Sequence, residues 1–128
     1  MLRKLIGAAA LLCALCLPLS AAETLKVLGQ SAPSATTATT LYTVPSATST
    51  VISTIVVANR STAGSFRIAI RPAGASLANQ HYIAYDTPIP SNDSIVLTLG
   101  ITLAATDVVT VYASSANFTF SAFGSEVQ

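Results

Sequence analysis

The chain has 128 residues, of which 52% are hydrophobic, six are basic and five are acidic. So few charges cannot build the basic face that a nucleic-acid-binding protein needs, and we expect no nucleic-acid partner. The length leaves room for one hydrophobic core, so the sequence predicts a single domain.

The first 22 residues have the order of a secretory signal peptide. A basic start precedes an apolar run at 5–17, and the small residues at 20–22 predict cleavage before Glu23. The run is shorter than the roughly 20 residues of a membrane-spanning helix, although an uncleaved N-terminal anchor is the alternative. We therefore expect an exported protein, periplasmic, extracellular or on the cell surface, with a mature domain at 23–128 that has no membrane segment.

The first half of this domain reads as strands separated by turns. A short edge strand at 24–28 should end at Gly29, and 31–40 is interpreted as an extended surface connection or a flexible linker. A strand at 41–44 precedes the long β-branched run 51–59. Because both faces of that run carry apolar residues, it predicts a central strand that is covered on much of both sides.

The second half continues in the same way. A half-buried strand is expected at 66–71, one helical turn within 75–80, a strand at 81–86 and a kinked edge at 87–90. Further strands are expected at 94–99, 108–113 and 117–123, with a loop at 101–107. Eight short strands without an amphipathic helix indicate an all-β, antiparallel two-sheet β-sandwich, either jelly-roll or Ig-like. The core candidates are Ile52, Val56, Phe66, Ile68, Ile95, Leu97, Val109, Val111, Phe118 and Phe120.

No group of residues is typical of an active site. His81 is the only histidine, Asp86 follows it five residues later, and no Gly-x-Ser-x-Gly motif marks a nucleophile. A hydrolase would require His81 within hydrogen-bond reach of a serine and Asp86. We therefore predict no enzyme, no catalytic residue and no cofactor.

Metal ligands are equally sparse. Both cysteines lie in the predicted leader, so a structural zinc site is excluded in the mature domain. Asn92, Asp93 and Asp107 could meet around calcium if their loops converge, but turn formation explains them more simply, and we predict no metal. Three tripeptides match the glycosylation acceptor pattern, beginning at Asn59, Asn92 and Asn117.

Five residues are candidates for a ligand or partner surface. The aromatic group of His81, Tyr82 and Tyr85 could line a sugar-binding groove, and packing between the sheets is the alternative. Arg67 and Arg71 share one face of a strand and could bind an anion, although a solvated face is the simpler interpretation.

Seven segments carry a resemblance to a known group of proteins. They are LKVLGQSAP at 25–33, LYTVP at 41–45, VANR at 57–60, FRI at 66–68, RPAGA at 71–75, ANQHY at 78–82 and LTLGITL at 97–103. With these segments the domain resembles small structural or tail-associated virion proteins of tailed bacteriophages. The shared segments are strands and turns, so the resemblance implies a fold and a setting and assigns no catalytic residue.

Two functions follow as expectations. The resemblance implies a non-enzymatic structural protein of a virion or phage tail that packs against copies of itself or against other virion or surface proteins, as a homo-oligomer or a mixed assembly. The alternative is a secreted carbohydrate-binding or adhesive module that binds a glycan. Export by the leader and a place in a virion are the two locations that stay open.

Overall fold

The computed structural model describes residues 21–128, so almost all of the predicted signal peptide lies outside the described residues. Nine strands and two 3-10 turns make up this part of the chain. In it, no helix is long and apolar enough to cross a membrane. The strands are β1 (Glu23–Ser31), β2 (Thr39–Thr43), β3 (Ser49–Asn59), β4 (Gly64–Arg71), β5 (Tyr82–Ile89), β6 (Ser94–Leu97), β7 (Ile101–Leu103), β8 (Val108–Ala113) and β9 (Phe118–Val127), and the turns are Pro72–Gly74 and Asn79–His81.

The strands form two antiparallel sheets. The five-stranded sheet has the order β1-β9-β3-β6, with β7 also paired to β3, and the four-stranded sheet has the order β2-β8-β4-β5. The predicted all-β sandwich is therefore confirmed. β1 lies at a sheet edge as predicted, although it continues past Gly29 to Ser31 because a bulge at Leu28 lets the ladder resume.

β6 and β7 are two parts of one interrupted strand. Both pair with β3 on the same side, β6 with its second half and β7 with its first half. The ladder breaks at 98–100, where Gly100 has a φ of 63°. The predictions of a strand through residue 99 and of a loop at 101–107 are therefore wrong in part. With β6 and β7 counted together, eight strands form two four-stranded sheets in the orders β1-β9-β3-β6 and β2-β8-β4-β5, which is the jelly-roll arrangement rather than the Ig-like one.

The hydrophobic core fills the space between the two sheets. Phe66 of β4 and Phe120 of β9 meet edge to face across it, with ring centroids 6.1 Å apart. Ile95 and Leu97 are only partly buried, since they lie on the edge strand β6. The core members in full are Leu28, Leu41, Tyr42, Val44, Ile52, Ile55, Val57, Phe66, Ile68, Ile89, Leu103, Val109, Val111, Ala113, Phe118, Phe120 and Ala122.

A β-bulge in β3 corrects one predicted core residue. Ile52 pairs with Gly124 and Thr54 with Phe123, so Ser53 is an extra residue that shifts the alternation of β3 by one position. Beyond the bulge, Ile55 and Val57 therefore face the core, and the predicted core residue Val56 lies on the outer face. Gly124 permits the bulge because a Cβ there would overlap the carbonyl oxygen of Val51.

Candidate functional site

Three of the five predicted ligand residues, Arg67, Tyr82 and Tyr85, lie on the outer face of the four-stranded sheet. Arg67 projects from β4 beside a bulge in β5, where Tyr85 and Asp86 together face this one residue of β4. Asp86 takes a positive φ of 47°, and its carboxylate accepts two hydrogen bonds from the Arg67 guanidinium. The Nε to Oδ1 distance is 2.6 Å and the Nη2 to Oδ2 distance is 3.2 Å. The pair is bidentate, which fixes the plane of the guanidinium.

Tyrosine rings enclose the same guanidinium. Its central carbon lies 4.1 Å from the ring centroid of Tyr85 and 4.5 Å from that of Tyr112 on β8. Tyr82 meets Tyr85 edge to face, with centroids 4.9 Å apart. We call Arg67, Asp86, Tyr82, Tyr85 and Tyr112 the arginine–tyrosine cluster. Arg67 therefore covers one face of the Tyr85 ring, and Tyr85 is 56% exposed with Arg67 in place.

The ion pair moves the pKa of both partners. The hydrogen bonds from Arg67 hold the pKa of Asp86 below its usual value, and the hydrogen bond to Asp86 raises the pKa of Arg67 further above its already high value. Both groups therefore stay charged across the physiological range, and each neutralises the other. Arg67 is consequently a poor candidate for an anion site, because its charge is already compensated.

The other two predicted residues contact the chain elsewhere. Arg71 donates from Nε to Oγ1 of Thr110 at 3.0 Å and from Nη1 to the carbonyl oxygen of Ala75 at 3.1 Å. His81 accepts a hydrogen bond at Nδ1 from the backbone N–H of Ala78 at 3.1 Å. Both side chains therefore stabilise the connection between β4 and β5.

The geometry expected of a hydrolase does not form. In residues 21–128 no hydrogen bond joins His81 to Asp86 or to a serine, and the carboxylate of Asp86 is paired with Arg67. Two open grooves on the described surface, about 390 and 440 Å³ in volume, lie away from both residues, beside Ser121 on β9 and beside Asp107.

The loops considered for calcium do not converge. The backbone of Asp93 binds Asn59 at the end of β3, whereas Asp107 lines a groove with the first residues of β3, so the strand separates them. The Asp107 carboxylate accepts the backbone N–H groups of Ala73 and Ala104, as expected of a turn residue. Within the described residues, no three His, Cys, Asp or Glu side chains are grouped for a metal ion.

A second surface, which the sequence did not single out, is the outer face of the five-stranded sheet. Cross-strand pairing places Val27 beside Phe123, and Val56 beside Val96. The apolar residues on this face include some of the most exposed in the described structure, with Leu25 81% and Val96 61% exposed. We call this set the apolar face, and its members are Leu25, Val27, Val51, Val56, Val96 and Phe123.

The apolar face corrects the expectation that β3 is covered on both sides. One side of β3 packs into the core, but no element within residues 21–128 covers Val51 and Val56 on the other. The residues that lie among the apolar ones on this face are Ser, Thr and Gln, including Gln30, Ser121 and Ser125. Charged residues lie at the ends of the strands, Glu23 at the start of β1 and Arg60 directly after β3.

These features define a jelly-roll sandwich with a compensated polar cluster on one outer face and an uncovered apolar surface on the other. Comparison with known proteins adds no relative: no family model, curated protein or solved structure matches this chain.

Proposed function

We propose that this protein is a non-enzymatic structural module, of the kind found in phage virions or tails, that acts by packing its sandwich against copies of itself or a partner protein. The apolar face is the observation that carries the proposal. A large exposed apolar surface on a folded domain usually marks an interaction site, because exposing it to water is unfavourable. The resemblance of seven segments to tailed-phage structural proteins supports the same conclusion.

The chain's own pattern adds a second argument. After the bulge at Ser53, the outer side of β3 still carries the apolar residues Val51 and Val56, and apolar residues on both sides are typical of strands that are covered on both sides. The fold covers one side only, so an assembly would complete the burial that the sequence specifies. Sparse charge is compatible with such packing, since few ions would have to be desolvated.

A secreted glycan-binding module is the competing function, and the exposure of Tyr85 is the observation that favours it. Tyrosines offer stacking area with a polar tip, which suits sugar recognition. Against it, the guanidinium of Arg67 occupies part of the Tyr85 ring, and neither of the two grooves described above includes the cluster.

Sedimentation across a range of protein concentrations, combined with binding to a glycan panel, tests the two functions. We expect the protein purified after expression of the full chain to form dimers or larger assemblies that are indifferent to sugars. A strictly monomeric protein that binds a glycan, and loses binding on Tyr82→Ala but not on Ile83→Ala, would overturn the structural proposal. Ile83 is the matched control because it is the neighbouring exposed residue of β5.

Export with removal of the leader is part of the proposal. The order of basic, apolar and small residues in the first 22 positions supports it. Intact-mass measurement of the protein recovered outside the cytoplasm should give a chain that begins at Glu23. Recovery of the Met1 form from the cytoplasm would contradict export and favour assembly into a virion inside the cell.

A further inference from the structure

The geometry points to a dimer in which two copies of this chain pack their apolar faces together, sheet on sheet, about a twofold axis. This inference rests on the proposed function and specifies its surface and its partner. The interface would bring β1, β9, β3 and β6 of one copy onto the same strands of the other. The arginine–tyrosine cluster of each copy would remain on the outside, on the opposite sheet.

The size of the apolar face fits one partner. β1, β9, β3 and the interrupted strand formed by β6 and β7 lie about 4.8 Å apart and extend over about 30 Å, so the face covers a flat area of roughly 600 Å² before side-chain relief is added. A standard stable interface buries about 800 Å² of accessible surface on each partner. The face is therefore similar in size to one partner's share of a stable interface.

The composition of the face fits a second copy. A twofold axis places identical patches together, so a face with a net charge would repel itself. Between the ends of its strands, this face carries no charged side chain. The charged residues at its ends, Glu23 at the start of β1 and Arg60 directly after β3, are exposed and can remain in water. Lys26 is engaged with Glu126, 2.6 Å away, and so adds no unpaired charge at this edge.

The surface relief also suits sheet packing. The apolar side chains alternate with small Ser and Thr residues: Ser125 of β9 lies between Leu25 of β1 and Val51 of β3, and Ser121 lies beside Val56 of β3. Aligned sheets with the same twist pack at about 10 Å when small and large side chains interdigitate. Val56 and Val96, which are paired on adjacent strands, form a ridge that can pack between the small side chains of the partner's face.

The test compares charge substitutions on the two outer faces. Leu25→Lys combined with Val96→Lys places two cations on the apolar face at positions that are already exposed, so folding of the monomer should survive. Each substitution occurs twice in a twofold interface, and we expect the dimer dissociation constant measured by sedimentation to rise by about a hundredfold or more. The control, Ile83→Lys combined with Leu77→Lys, changes exposed apolar residues elsewhere and should leave the constant unchanged.

Circular dichroism of each variant checks that the β-sandwich is retained. If the lysine pair disrupts folding, Leu25→Ser with Val96→Ser gives the same test with a smaller expected weakening, about tenfold. A wild-type chain that associates, with face variants that associate equally well, overturns this inference and leaves the proposed function in place. A wild-type chain that stays monomeric at every concentration also overturns it, and the glycan panel then decides the proposed function.

Discussion

The hydroxyl of Tyr42 donates a hydrogen bond of 2.8 Å to Oε2 of Glu126, and this contact joins the two sheets at one end of the sandwich. Tyr42 belongs to β2 and Glu126 to β9, and both are buried. The same hydroxyl lies 2.9 Å from Oγ1 of Thr50, and Lys26 pairs with the other carboxylate oxygen. All the polar atoms of this buried group therefore have partners, which is the condition for a charged group to be tolerated in a core.

Removing either partner of this contact should destabilise the domain. We expect Tyr42→Phe and Glu126→Gln each to lower the free energy of unfolding by about 1–2 kcal/mol, as for hydrogen bonds to charged groups. In chemical denaturation of the double variant, the two losses should fall short of additivity by about 1 kcal/mol. Tyr112→Phe, which removes a hydroxyl on the outer face, should change stability by less than about 0.5 kcal/mol. Fully additive losses would show that the contact carries no coupling.

Stability should fall at alkaline pH because of Tyr42. Burial, followed by the influence of Glu126, raises the pKa of Tyr42 to about 12, against an ordinary value of 10.0. The unfolded chain therefore loses this proton first, and the stabilisation present below pH 10 is lost as the pH approaches 12. Two pKa units correspond to roughly 2–3 kcal/mol. Denaturation midpoints measured from pH 8 to 12 should fall less steeply for Tyr42→Phe, and equal slopes would contradict the assignment.

Stability should also fall in acid because of Glu126. Hydrogen bonds, first from Lys26 and then from Tyr42, hold the pKa of Glu126 below its usual value of 4.5. The contribution is present above the unfolded pKa and is lost as the pH falls through the folded one, because the unfolded chain binds the proton first. Thermal unfolding between pH 7 and pH 2 should show a smaller loss for Glu126→Gln than for the wild type. A variant with the same acid slope as the wild type would exclude Glu126 as a source of the pH dependence.

Asn59 should be intolerant of substitution although it sits in a glycosylation tripeptide. Its side-chain amide is buried, donates to the carbonyl oxygens of Thr62, Ile89 and Pro90, and accepts from the N–H of Ser61. Asn59→Ala leaves these groups without partners and should cost about 2–3 kcal/mol in urea denaturation. Asn117→Ala is the matched control and should cost less than about 0.5 kcal/mol. If Asn59→Ala costs as little as the control, water must satisfy the carbonyl groups that the Asn59 amide leaves.

The bulge in β3 can be tested by comparing neighbouring valines. Val57 is fully buried and Val56 lies on the outer face. At concentrations low enough to avoid self-association, Val57→Ala should cost about 2 kcal/mol, from lost burial and the cavity left behind, and Val56→Ala less than about 1 kcal/mol. A larger cost for Val56→Ala than for Val57→Ala would mean that β3 has no bulge and keeps the uninterrupted alternation of its sequence.

Local patterns account for what could be predicted from the sequence. Alternating apolar residues at 66–71 and β-branched residues at 51–59 determine strands because each depends only on neighbouring positions, and two sets of such strands without helices imply a sandwich. The outward position of Arg67 follows from the same alternation. The sequence groups Tyr82 and Tyr85 as neighbouring aromatic residues, but an uninterrupted strand would place them on opposite faces. The extra residue Ile83, which depends on the pairing with β4, brings them together.

Only the tertiary structure decided the register and the surfaces. The bulge at Ser53 depends on the approach of β9 at Gly124, so the strand's own sequence does not reveal that the alternation shifts and moves Val56 outward. The contact between Tyr42 and Glu126 joins residues 84 positions apart and needs both sheets in place. The apolar face likewise consists of residues from four strands that are distant in sequence. The apolar pattern indicates that a strand face is buried, but the topology determines which faces the chain can bury by itself.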